Sequence, residues 1–166
     1  MKIFQLFTKD ECDSIINFIE SNYILNKTSK LYDSGISSYS KIEIKQSEWF
    51  YEKIKNYVNS ELSIDAIGTL LFVKYVEGDY FPIHKDRVSN SEYHKDFIWN
   101  VNVILNDNYD GGEFILNNET YKHPAGSLYY YKSDTLHGVN KITNGNRYIF
   151  LYHIRERDIK RTKSAI

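Results

Sequence analysis

Two hydrophobic rhythms divide the chain. In FTKDECDSIINFIE, Cys12, Ile15, Ile16 and Ile19 recur at helical spacing. Thr8 with Glu11 three residues on forms a capping-box signature, and Phe7 is placed to staple against Cys12. A second helix, capped by Ser47, puts Phe50, Ile54, Tyr57 and Val58 on its buried face. Between the two, residues 26–46 are polar, Ser-rich and without helical period. They read as a loop with one short strand at KIEI, placed to act as a lid or substrate loop. From Ile67 onward the period shortens to that of strands: IGTLLFVKYV, IWNVNVIL, GEFIL, SLYYY, LHGV and RYIFLYHI, separated by EGD, NDNYDGG, HPAG and TNGN. Helices first and a strand array afterwards predict a mainly β fold with N-terminal helices. The strands should form an antiparallel sandwich or barrel rather than a βαβ sheet. With no repeat or linker, the expectation is one domain over residues 1–166: a helical buttress and loop (1–66), a β-barrel (67–155) and a solvated or disordered charged tail (156–166).

Composition narrows the class. Aromatic residues make up 16% of the 166, with 15 tyrosines, which favours a β-rich interior. The formal net charge of -1 offers no electrostatic footprint for a nucleic-acid backbone. The one cysteine, Cys12, cannot form an internal disulfide and has no basic neighbour to activate it, so it reads as a core residue. The N-terminus lacks a secretory pattern, and no run approaches the apolar length of a membrane span. A cytoplasmic protein without membrane or nucleic-acid partners is the expectation.

The candidate chemistry starts at FPIHKDR, where His84 and Asp86 stand two positions apart in an apolar stretch. Alone, His-x-Asp is weak, and a hydrogen-bonded core histidine would explain it. A redox iron centre that binds an organic cosubstrate and dioxygen needs two imidazoles and a carboxylate on one face, with the opposite face open. His137, on a short strand, is the best candidate for the third ligand. Arg147 opens the strand RYIFLYHI, and a buried guanidinium there is costly unless it meets an anion, which its planar fork can clamp at two points. Alternation places Arg147, Ile149, Leu151 and His153 on one face and Tyr148, Phe150, Tyr152 and Ile154 on the other. His94 and His123 have no matching partners and read as surface or loop residues. The run Tyr129 to Tyr131 is explained by core packing.

Taken together, KYVEGDYFPIHKD, GGEF, HPAGSLYYY and LHGVNKITNGNRY resemble the iron(II) and 2-oxoglutarate dependent dioxygenases, specifically the prolyl 4-hydroxylase-like branch. The resemblance runs from about Gly68 to Arg155. It implies a double-stranded β-helix, a jelly-roll barrel, with the N-terminal helices buttressing one sheet. It further implies that His84, Asp86 and His137 bind Fe(2+), that Arg147 pairs with the distal carboxylate of 2-oxoglutarate, and that Tyr75 helps hold that cosubstrate. Dioxygen would be the oxidant, succinate and carbon dioxide the coproducts, with ascorbate a further candidate cofactor. Related halogenases lack the carboxylate, so Asp86 favours hydroxylation of a C–H bond.

Asn100 and Asn102 depart from the family pattern, which more often has a hydroxyl or apolar residue there. Ile104 and His153 depart too, where some relatives carry aromatics. Asn100, Asn102 and His153 are therefore candidates to read a substrate group. The resemblance favours a peptidyl, protein or amino-acid-like substrate, although an oxygenase acting on a nucleobase or another small metabolite, and a non-catalytic 2-oxoglutarate-binding domain, stay open. Specificity is expected from the loops at 26–46 and 87–97, whose composition does not name a ligand.

Overall fold

The computed structural model describes residues 1–92 and 94–160. After a short strand, β1 (Phe4–Gln5), helix α1 runs over Lys9–Asn22 and buries Cys12, Ile15 and Ile19. The capping box is formed. The Glu11 amide donates to Thr8 Oγ1 at 3.1 Å and the Thr8 amide to Glu11 Oε1 at 2.9 Å, so two otherwise orphaned donors are satisfied. Helix α2 spans Trp49–Leu62 and starts from Glu48 without a side-chain cap, not from Ser47. Its buried face includes Tyr51, which the helical spacing left out, while Tyr57 is only partly buried.

The segment expected to be a loop with one short strand at KIEI is instead a hairpin of β2 (Asn26–Tyr32) and β3 (Gly35–Glu43), paired from Asn26↔Lys41 to Tyr32↔Gly35, with most of KIEI forming the end of β3. Both of its faces are largely polar, one towards solvent and one over a cavity, so no hydrophobic alternation marks it in the sequence. Nine further strands follow the β4 strand (Thr69–Tyr75), the first eight being β5 (Phe81–His84), β6 (Phe97–Ile104), β7 (Asp110–Gly111), β8 (Phe114–Leu116), β9 (Glu119–Tyr121), β10 (Ser127–Lys132), β11 (His137–Val139) and β12 (Ile142–Asn144). The ninth is β13 (Arg147–Arg155). They form an antiparallel seven-stranded sheet ordered β1-β10-β6-β13-β4-β3-β2, a four-stranded sheet ordered β5-β11-β8-β9, and the small pair β12-β7. From β4 to β13 the chain crosses repeatedly between the two larger sheets, with β8 and β9 together in the smaller one, which gives the jelly-roll arrangement expected. The barrel also draws on residues before 67, through β1 and the hairpin.

Away from the hairpin, the strands β10, β6, β13 and β4 of the seven-stranded sheet are covered on both faces, which is why β6 and β13 read as nearly continuous apolar runs. Its outer face, with Leu70, Phe72, Val101, Val103, Phe150, Tyr152 and Ile154, packs in one core with α1 and α2. Its inner face joins Phe114 and Val139 of the smaller sheet in a second core that includes Val73, Tyr75, Ile104, Tyr129, Tyr131 and Ile149. The alternation read along β13 is the one observed. Beyond it, Glu156–Asp158 form a 3-10 turn, and Ile159 bridges to Ala66, so the start of the expected solvated tail docks on the body. Residues 161–166 of that tail lie outside the described residues. Among the described residues no helix is long and apolar enough to cross a membrane.

Gly68 ties helix and sheet together at the entry to β4. Tyr51 Oη donates to its carbonyl at 2.6 Å, and its amide donates to Tyr152 Oη at 2.9 Å. A Cβ there would stand 2.4 Å from the His153 carbonyl oxygen and 2.7 Å from Tyr152 Cζ. Gly68→Ala should therefore cost about 1–3 kcal/mol through overpacking, read as a lowered urea midpoint with an unchanged slope. A midpoint equal to wild type would mean that this approach relaxes freely.

Candidate metal centre and anion pocket

Backbone pairing brings the two histidines together. His84 ends β5, His137 begins β11, and the antiparallel register sets them opposite each other. Asp86 lies two residues past the strand end, where the chain is fixed by two amides: those of Asp86 and Arg87 both donate to the Ser133 carbonyl, at 3.0 and 2.9 Å. The result is a triad. His84 Nε2 stands 3.0 Å from Asp86 Oδ1, and His137 Nε2 3.3 Å from Asp86 Oδ2. One ligand atom from each residue lies within 4.8 Å of the others.

The far side of each imidazole is committed. His84 Nδ1 lies 2.8 Å from the Pro82 carbonyl and His137 Nδ1 2.8 Å from the Thr135 carbonyl. A carbonyl only accepts, so both rings carry a proton on Nδ1, which turns Nε2 inward as the atom that would bind a metal. Burial by itself disfavours charge on Asp86, but the facing His137 and His84 outweigh it and hold the carboxyl well below its ordinary range. His137 is raised in return, because Asp86 outweighs the opposing effect of burial. Two imidazoles and a carboxylate, fixed from behind and open on one side, fit a divalent transition metal such as iron, which would take the place of any proton on Nε2.

Asn100 braces the carboxylate. Its Nδ2 donates to Asp86 Oδ2 at 2.5 Å. Because a carboxylate only accepts, the amide must face it with the NH2 group, and Oδ1 is left to accept from Ser133 Oγ at 3.0 Å and His153 Nδ1 at 2.9 Å. His153 therefore carries its proton on Nδ1. Burial pushes its pKa down to about 4, so the ring is neutral at physiological pH and presents Nε2 as an acceptor. Of the three residues expected to read a substrate, Asn100 is 0% exposed with its amide fully engaged, while Asn102 and His153 line the cavity.

The other end of the cavity holds a buried cation. Arg147 is 0% exposed, and Nε, Nη1 and Nη2 have no hydrogen-bond partner among the described residues. Its cross-strand neighbour is Tyr75, whose ring lies 5.2 Å from the guanidinium carbon. Tyr75 and Ile149, the next inward residue of β13, line the cavity, which places Arg147 one layer behind its wall. Beside it, Asn102 Nδ2 donates to Tyr129 Oη at 3.0 Å, leaving Asn102 Oδ1 buried without a partner. Burial raises the Tyr129 phenol to about 12 against the pull of Arg147, so it stays protonated. Gly112 makes room for the guanidinium stem. At φ +65° it occupies the left-handed region, and a Cβ would meet Ile142 Cδ1 at 2.3 Å and Arg147 Cδ at 3.2 Å.

Sequence reasoning missed part of the wall. Tyr32, Tyr39 and Lys41 of the hairpin, Tyr131 of β10 and His94 all line the cavity, whose volume is about 350 Å³. Tyr131 was attributed to core packing and His94 to the surface. Within the hairpin the sequence marked only KIEI as a strand, which left Tyr32 and Tyr39 unplaced, and the 87–97 loop was expected to contribute to specificity without His94 being singled out. His123 lies away from the cavity and stacks on Tyr121.

Comparison with known proteins agrees with this layout. Residues 70–155, slightly more than half of the chain, match the family model of the 2OG-Fe(II) oxygenase superfamily. A PKHD-type hydroxylase of Picosynechococcus is 31% identical over 88 residues, 51% of this chain and 40% of the relative. One from Prochlorococcus marinus is 24% identical over 163 residues, covering 87% of this chain and 73% of the relative. The chain thus spans about two fifths of the length of the first of these curated relatives. Among solved structures, the viral collagen prolyl hydroxylase of Paramecium Bursaria Chlorella virus-1 superimposes with a TM-score of 0.73 at 19% identity, over 93% of this chain and 94% of that one. A Pseudomonas putida prolyl-4-hydroxylase gives 0.71 at 15% identity, over 93% and 91%. These two share the fold. With the matched segment running from β4 through β13 and so containing every residue of the triad together with Arg147, the chain belongs to the 2OG-Fe(II) oxygenase superfamily.

Proposed function

We propose that the protein is an iron(II)- and 2-oxoglutarate-dependent dioxygenase that hydroxylates an unactivated C–H bond on a peptidyl or amino-acid-like substrate, with succinate and carbon dioxide as coproducts. The observation that carries the reading is Arg147, a sealed guanidinium without a partner in the barrel that holds a two-histidine, one-carboxylate triad. An unpaired buried cation is too costly to retain as packing, and a carboxylate would repay it through a two-point clamp. His84, Asp86 and His137 would hold iron, and Arg147 with Tyr75 would hold the distal carboxylate of 2-oxoglutarate. The bound iron and cosubstrate supply the activation of dioxygen. The chain's own residues bind, orient and exclude water. Asn100 keeps Asp86 Oδ2 occupied, so that Oδ1 is the freer oxygen to bind metal, and the Nδ1 contacts of both histidines fix their rings. The apolar wall of Val73, Phe114, Val139 and Ile149 limits water around the reacting carbon. The hydroxylases named above support a peptidyl substrate by family likeness.

Anaerobic titration with iron(II) and 2-oxoglutarate tests the reading. A weak visible charge-transfer band is expected in wild type, reduced in Arg147→Ala and lost in Asp86→Ala; a correctly folded wild type with no band would sink it. Two further outcomes follow. Arg147→Met should stabilise the metal-free protein by about 1–4 kcal/mol, because an apolar isostere replaces an unpaired buried charge, while 2-oxoglutarate loses its ability to raise the melting temperature. Asn100→Ala should weaken cobalt(II) binding about 10–100-fold, read from the cobalt absorption spectrum without turnover; unchanged affinity would reduce Asn100 to a packing residue.

A further inference from the structure

Two depressions meet at His84 and Asp86. One runs inward between the sheets to Tyr75 and Asn102; the other runs outward across Ile83, Val88 and Leu136. Lys30, Tyr32 and His94 border both. In the proposed function the inward arm takes the cosubstrate, which leaves the outward arm and the junction for the substrate.

The junction is basic. Hairpin pairing sets Lys30 opposite Ser37 and Lys41 opposite Asn26, so Lys30, Tyr32, Tyr39 and Lys41 share the face over the cavity. Arg155, at the end of β13, borders it as well. None of these three cations has an ion-pair partner among the described residues. Each lies near an aromatic ring instead: Lys30 Nζ 5.1 Å from Tyr32, Lys41 Nζ 6.0 Å from Tyr39, and the Arg155 guanidinium 4.3 Å from Phe97. Opposing acids are few. Asp86 is taken up by the triad, Asp33 borders the outward depression only, Asp96 is felt at His94 but lies outside both linings and 3.7 Å from Arg157, and Glu43, on the same face as Lys41, is exposed at the strand end and outside the lining.

The whole chain has 21 basic and 22 acidic residues, so a cavity lined by three unpaired cations is a local arrangement and not a reflection of composition. Concave, partly apolar walls focus such a field and raise the local concentration of anions. Lys41 is half-buried, where a cation gains most from a counterion. The field also reaches the neighbouring histidines. After burial, Lys30 lowers His94 against Asp86 and Asp96, and at His153 the upward pull of Asp86 is opposed by His137, Lys41 and His94.

Resting on the oxygenase reading above, we infer that the substrate presents an anionic group, a carboxylate or a phosphate, to Lys30, Lys41 and Arg155 while the C–H bond to be oxidised lies over His84, Asp86 and His137. The neutral His153, with Nε2 free to accept, would receive a donor from the same substrate.

The test uses the full chain loaded with manganese(II), which prevents turnover, and saturated with 2-oxoglutarate, so that the cosubstrate's own charge does not compete. Acetylated, amidated tripeptides centred on aspartate, glutamate, phosphoserine, asparagine, glutamine and serine, together with the matching free amino acids, are titrated calorimetrically. Acidic members should bind at least about tenfold tighter than their neutral isosteres, a preference that shrinks with added salt and in Lys30→Gln combined with Lys41→Gln. Aspartate and glutamate ahead of phosphoserine would identify a carboxylate; the reverse order would identify a phosphate. Equal behaviour of the acidic and neutral series, binding by neither included, overturns the inference, as does a neutral preference. A normal iron and 2-oxoglutarate band alongside that result removes only the substrate assignment, whereas absence of the band removes the oxygenase reading and this inference with it.

Discussion

The structure turns on a carboxylate held away from bulk water. The Asp86 side chain is 18% exposed, and an ionised group in that setting is tolerated only where donors surround it. The Asn100 amide donates to it and the Nε2 atoms of two imidazoles converge on it, and each is itself held from behind: His84 by the Pro82 carbonyl, His137 by the Thr135 carbonyl, Asn100 by Ser133 and His153. Ser133 does more than one job, since its carbonyl also fixes the backbone at Asp86 and Arg87 and its amide donates to Ile98. Strands β5, β6, β10, β11 and β13 are thus joined around one charge. The arrangement fixes rotamers before any ligand arrives, which is what a site that must orient several ligands at once requires.

How much of this the sequence disclosed depended on whether burial left a periodic trace. The strands β4, β6, β10 and β13 are covered on both faces and could be read as apolar runs, and the inward set on β13 followed from alternation alone. His84, Asp86, His137 and Arg147 stood out as polar residues in an apolar context, and their reading as one set came from the resemblance of four ordered motifs to the oxygenase family. The hairpin was not legible. Its inner face borders a cavity and its outer face borders water, so both carry polar residues and the period of two disappears. Its membership in the large sheet comes from backbone bonds to β4, which side-chain identity does not record. Tyr131 and His94 were missed for a related reason: a residue lining a cavity has the same local pattern as one packed in a core or standing on a surface.

The two ends of the cavity use positive charge in different ways. At Arg147 the cation is dry, fixed and without a counterion, so an anion that reaches it meets little competition from water and a geometry set in advance. At the hairpin, lysines on long flexible stems stay partly hydrated and lie against aromatic rings, a looser arrangement suited to steering and to tolerating variation in what arrives. One invariant cosubstrate and a more variable partner would call for this division.

The cost of the site falls mainly on the unliganded protein. A sealed guanidinium and an Asn102 oxygen, neither with a hydrogen-bond partner among the described residues, lower stability and make sense only if a ligand relieves them. Helices α1 and α2 offset that burden from the opposite face of the same sheet, where the core is apolar and tyrosine hydroxyls such as Tyr51 and Tyr152 find partners at Gly68. Stability and function are therefore separated by a single layer of strands: residues facing outward on β4, β6 and β13 hold the sheet, and those facing inward, relieved of that task, can be polar. The strain on the inner face follows from the surplus on the outer one, and a sequence without the two helices could not keep Arg147 buried and unpaired.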